Sequence, residues 1–91
     1  MAIGSEQRRR ERRVLVAEQF SRRNVEAALD LVHLADMAWH DCYGPEELAM
    51  PAAVLDDVLL LAEGDLARLI RFARAAVTDF RDVRMAADER R

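Results

Sequence analysis

Apolar positions in this chain recur at helical spacing and nowhere alternate. Val25, Ala28, Leu29, Val32, Ala35 and Trp39 follow one another three or four residues apart, while Glu26, Asp30, His33, Met37 and His40 lie opposite. That pattern predicts a wide buried face on an α-helix. No glycine or proline falls between about Ser5 and Asp41, so a single long first helix is predicted over that span, with Gly44 placed to end it. A second, short helix is predicted from about Pro51 to Glu63, with Leu55, Val58, Leu59 and Ala62 inward and Asp56, Asp57 and Glu63 outward. Gly64 suits its C-terminus, and the Asp65 carboxylate can cap the next helix. The third helix, about Asp65 to Asp88, has the cleanest period. Leu66, Leu69, Ile70, Ala73, Ala76, Val77, Phe80, Val83 and Ala87 share an arc of about 140°.

Strand signals are nearly absent, with one Thr, one Tyr, three Gly and two Pro in 91 residues. The expected fold is all-α: a three-helix domain with a long first helix, a short second helix and a tight turn into a long third. No linker or repeat divides residues 1–91, so one domain is expected, with residues 1–12 as a basic arm prone to fraying. A chain of this size builds one modest core, which excludes a large cofactor pocket. Its longest uncharged apolar stretch, Ala49–Leu55, is far short of a membrane span. The run Val14–Ala17 is too short for a signal-peptide core. With a lone cysteine that has no intrachain partner for a disulfide, these features lead us to expect a cytoplasmic protein.

Charge is segregated. The net is +4 over residues 1–23, −10 over 24–67 and +3 over 68–91, giving −3 overall. All fourteen basic residues are arginine, a bias that with abundant alanine points to genome composition rather than to a chemistry. The run Arg8-Arg9-Arg10-Glu11-Arg12-Arg13 could meet phosphates, but it lacks interleaved aromatics and adjoins ten acids, so nucleic acid is not the expected partner.

Other candidate chemistry is sparse. Asp30, His33, Asp36 and His40 invite a metal reading, yet His33 and His40 are seven residues apart, about 10.5 Å along a helix, which leaves only pairs. Cys42 follows His40 by two residues, about 200° around a helix, and sits at a C-terminal end whose dipole disfavours a thiolate. We therefore expect no catalytic residue, no metal and no cofactor. No motif resembles a known family.

Helix lengths suggest association. A second helix of about 20 Å cannot cover a third of about 36 Å and a still longer first. Val14, Leu15 and Phe20 at one end, with Phe80 and Val83 at the other, should lie beyond it. Such uncovered surface marks an interface, most simply a homodimer. The expected interface residues are Phe20, Trp39, Val77, Phe80 and Val83, bordered by Arg71, Arg74 and Arg81. The leading expectation is a small intracellular helical interaction or regulatory module, self-associating or meeting a helical or acidic protein partner. A DNA-associated regulator using the Arg-rich arm is the alternative, followed by a metal-dependent enzyme with an inter-subunit site.

Overall fold

Residues 20–24 interrupt what the periodicity predicts as one helix. A computed structural model describes the chain from Ala2 onward and its side chains from Glu6; Met1, the first residue of the predicted arm, lies outside the described residues. Helix α1 spans Ala2–Gln19, a turn of 3-10 helix follows at Arg22–Asn24, and α2 spans Val25–Tyr43. Ser21 is extended, at φ −62° and ψ 153°, and folds α1 back against α2. The reason lies in the far partners. Val16 and Phe20 enter the core, and Arg12, one turn before Val16 on the same face, meets Asp36 of α2. A straight helix would leave all three outside.

The all-α expectation holds, with no strand among the described residues. The three-helix count becomes four, because the predicted first helix divides in two. Helix α3 spans Ala52–Ala62 and α4 spans Leu66–Arg90, close to their predicted limits. Gly44, at φ 104°, ends α2 by donating its N–H to the His40 carbonyl. Asp65 caps α4 as predicted, its Oδ1 accepting the Arg68 N–H at 3.1 Å. Glu63 and Gly64, at φ 52° and 75°, make the tight turn between α3 and α4. A Cβ on Gly64 would stand 2.5 Å from the Gln19 carbonyl oxygen, so only glycine lets the end of α1 approach this turn.

Helix α4 is not the continuous rod its period predicts. Asp79, at φ −159° and ψ 98°, divides it into limbs 66–78 and 80–90. The Asp79 carboxylate accepts the Arg81 N–H at 3.1 Å, as an N-cap of the second limb does. That limb returns along α3: Glu63 pairs with both Arg68 and Arg90, which a straight helix would hold about 33 Å apart. Arg84 and Arg91 reach Asp57 in the middle of α3, at 3.6 and 2.8 Å.

These arginines explain another difference from expectation. Asp57, predicted to face outward, is 1% exposed. Burying an isolated carboxylate is unfavourable, and here two cations from the returning limb offset it. Helix α3 is consequently covered on most sides, with Val54, Leu55, Val58, Leu59 and Leu61 all buried. Burying each such side chain contributes about 1.5–3 kcal/mol before entropy is counted. Val83 and Ala87 join the same core from the second limb of α4. The two predicted rods too long for α3 are thus both broken and folded back over the core.

Candidate association surface

Part of the apolar surface left outside the core lies between α2 and the first limb of α4, while Val14, Leu48 and Met85 are exposed elsewhere in the chain. Leu31, Leu34, Ala35 and Ala38 face Ile70, Ala73, Val77 and Thr78 across a shallow groove of about 390 Å³. Their spacing puts them on one face of each helix, a turn or so apart, and the buried faces of the same helices hold that pair of rows in place. Within it Leu34 is 59% exposed and Ile70 42%. Scattered apolar residues are ordinary at a protein surface, but a contiguous groove flanked by polar residues is the form of a docking site.

The two edges of the groove differ in charge. Arg74 lines it from α4, and Arg71 stands on an adjoining shallow surface with Ala67, Ile70 and Ala75. The Arg71 guanidinium lies 5.2 Å from the centre of the Phe72 ring, which orients it without neutralising it. Neither Arg71 nor Arg74 is in an ion pair among the described residues. On α2, Asp30 and Asp41 fall within about 40° of Leu34 around the helix. Asp30 holds Arg9 of α1 and Asp41 is in no ion pair among the described residues, so the unpaired charge on that edge is negative.

The residues expected at an interface separate into distinct places. Val77 and Arg74 line the groove and Arg71 borders it. Phe20, Trp39 and Val83 are 5%, 3% and 2% exposed, covered by the chain itself, so the length argument does not place them on a surface. Phe80 is half-buried, its ring 5.9 Å from Trp39 and 6.2 Å from Tyr43. Arg81 is exposed and folds onto Asp79 at 3.0 Å, which also holds the Asp79 carboxyl below its ordinary range. Leu34 carries no interface signal in the sequence, and Ile70 belongs there to the apolar arc of the third helix; only the packing of α2 on α4 brings the two into one groove.

Three of the five arginines between positions 8 and 13 are paired within the fold. Arg12 donates to both oxygens of Asp36, at 3.2 and 3.1 Å, and to the Met50 carbonyl at 2.8 Å; the Met50 N–H returns a bond to Asp36. Arg12 and Asp36 are 9% and 3% exposed, so this network ties α1, α2 and the segment before α3 in a dry setting. Arg9 meets Glu26 and Asp30 at 3.2 and 3.0 Å, and Arg13 also binds Glu26. Hydrogen bonds from Arg13 and then Arg9 hold the Glu26 carboxyl below its usual pKa. The sequence signal for Arg12 was its register: with Val16 and Phe20 at i+4 and i+8, it occupies a core-facing stripe.

The candidate metal residues are drawn to different partners. Asp36 binds Arg12, Asp30 binds Arg9, and His40 Nδ1 lies 2.9 Å from the Glu47 carbonyl oxygen. His33 lines a smaller cavity of about 170 Å³ between α1 and α2, beside Arg8, Arg9 and Arg12. No group of three potential ligands converges among the described residues. Cys42 is exposed and free. No helix among the described residues is long and apolar enough to cross a membrane. Comparisons with family models, with curated proteins and with solved structures each return no match.

Proposed function

We propose that the protein acts by association rather than by catalysis, its α2–α4 groove receiving an amphipathic helix. The observation that carries this reading is the groove itself. A chain that folds both of its long helical runs back to cover Val16, Phe20 and Val83 leaves Leu34 and Ile70 uncovered in one groove. Helix-in-groove recognition uses this kind of surface, with side chains at i, i+3, i+4 and i+7 entering between two helices. The free Cys42 suits a reducing compartment, and action in the cytoplasm is part of the proposal.

DNA association through the arm has less support. Arg9, Arg12 and Arg13 are already paired with carboxylates, so phosphate would have to displace partners that the fold supplies. A metal-dependent reaction would have to draw ligands from a second subunit, since no group of three converges within the chain among the described residues.

A photo-crosslinking amino acid placed at position 34, in the groove, and separately at position 56, on the exposed side of α3, tests the reading in the native host. We expect a discrete adduct from position 34 and none from position 56. Equal labelling from both positions, or none from position 34, would remove the groove as the working surface.

A further inference from the structure

We infer that the occupant of the α2–α4 groove is a second copy of this chain, related by a two-fold axis along the groove, so that α2 of each copy lies over α4 of the other. The inference rests on the association reading above and names its partner. It follows from the signs on the two edges. An acidic helix entering the groove would find Arg71 and Arg74 on one side but Asp30 and Asp41 on the other, and a basic helix would meet the reverse conflict. The partner must carry both signs, in opposed rows, with apolar residues between them.

This chain presents that arrangement. An isologous interface is one patch meeting itself, so it must be self-complementary across its axis. Rotation by 180° about an axis lying along the groove exchanges the two helices, bringing each acidic α2 edge onto the partner's basic α4 edge. The alternative axis, across the groove, would stack α2 on α2 and α4 on α4, like charge on like. Leu34 of each copy would meet Ile70 and Val77 of the other in the centre, where burial is most favourable. Arg71, Arg74 and Asp41 form no ion pair within the chain among the described residues. Asp30, although held by Arg9, keeps its side chain 69% exposed. Such edge charges set orientation and choice of partner, and the apolar centre supplies affinity.

Sedimentation equilibrium on the intact protein at micromolar concentrations, with circular dichroism as a check on folding, tests this. Wild type should show twice the subunit mass. Leu34→Asp should weaken the dimer roughly thirtyfold or more at unchanged helicity, because the side chain is exposed in the single chain. The geometry has its own test. Asp41→Arg and the double variant Arg71→Asp with Arg74→Asp should each sediment mostly as monomer. An equimolar mixture should recover a one-to-one dimer, because both edge contacts then pair opposite charges. A wild-type mass of one subunit at high micromolar concentration would overturn the inference, as would a dimer indifferent to Leu34→Asp. A wild-type dimer whose charge-reversed variants fail to pair would overturn the two-fold arrangement. Adducts from position 34 with the mass of a different protein would leave the groove reading standing and remove the second copy as its occupant.

Discussion

The breaks at Ser21 and Asp79 do the same job by different means. Each interrupts a helical run longer than α3 and turns the remainder back over the core. At Asp79 the means are local: the carboxylate accepts the Arg81 N–H, and the Arg81 guanidinium returns onto the same carboxylate at 3.0 and 3.2 Å. Thr78 adds a bond to the Arg74 carbonyl in the last turn before the break. At Ser21 no side-chain cap bond forms, and Asn24 before α2 forms none either. That break is held from a distance, by Phe20 and Val16 in the core and by Arg12 on Asp36. The place of one bend is therefore written within three residues, although its returning limb is also held by Arg84 and Arg91 on Asp57 and by Arg90 on Glu63. The other bend has distant contacts alone.

The largest effect should come from the distant contacts. Asp36→Ala leaves the Arg12 guanidinium buried without its carboxylate and removes the acceptor for the Met50 N–H. We expect a loss of about 3–5 kcal/mol, read from denaturant unfolding, because an uncompensated buried charge is the costly state. Replacing both partners, Arg12→Met with Asp36→Leu, should recover the part of that loss due to the unpaired guanidinium and leave the part due to the unpartnered Met50 N–H and carbonyl. If Asp36→Ala unfolds at the wild-type midpoint, the network does not hold the Ser21 bend.

Gly64→Ala tests the other anchor of α1. Alanine there must accept φ 75° and place a methyl group 2.5 Å from the Gln19 carbonyl oxygen. The backbone term alone is about 1–2 kcal/mol, and relieving the clash moves α1, so thermal unfolding should fall by more than that. A change below about 0.5 kcal/mol would mean that the end of α1 shifts freely.

Exchanging the two break residues sharpens the comparison directly. Asp79→Ala should cost about 1 kcal/mol through loss of its cap, and Asp79→Asn much less. Ser21→Ala should change stability by less than about 0.5 kcal/mol, since its hydroxyl caps nothing. Equal losses at both positions would erase the distinction between a locally coded bend and a remotely held one.

Acid gives the smallest and most graded effect. Glu26, exposed on α2, is held below its ordinary pKa of 4.5 by Arg13 and Arg9 of α1. A depressed folded value stabilises the ionised state, so this contribution is complete above 4.5 and is lost as pH falls through the lower folded value. Hydrogen exchange should therefore quicken in α1 before it does in α3 as pH falls below 4.5. Simultaneous loss of protection in both helices would show that α1 has no separate, charge-dependent docking.

Much of the local architecture was legible from residue order. Helical period marked α2, α3 and the first limb of α4, and Gly44, Pro51, Gly64 and Asp65 marked their ends, because termination and capping involve residues within about four positions. The Asp79 break was legible in principle: aspartate after threonine, with Asp82 three residues on, has the pattern of a helix start inside a helical run. Period alone passes over it, since both limbs keep their apolar residues in step.

For the candidate surface, the sequence identified Val77, Arg71 and Arg74 but also Phe20, Trp39 and Val83, which the fold hides. Periodicity assigns each side chain an angle around its own helix and says nothing about what that angle meets. The meeting of Arg12 with Asp36 spans 24 positions, and Asp57 with Arg91 spans 34. Which apolar residues stay uncovered depends on where α1 and the second limb of α4 fold back. That is a matter of packing and charge pairing between distant segments, and it is decided only when the chain is three-dimensional.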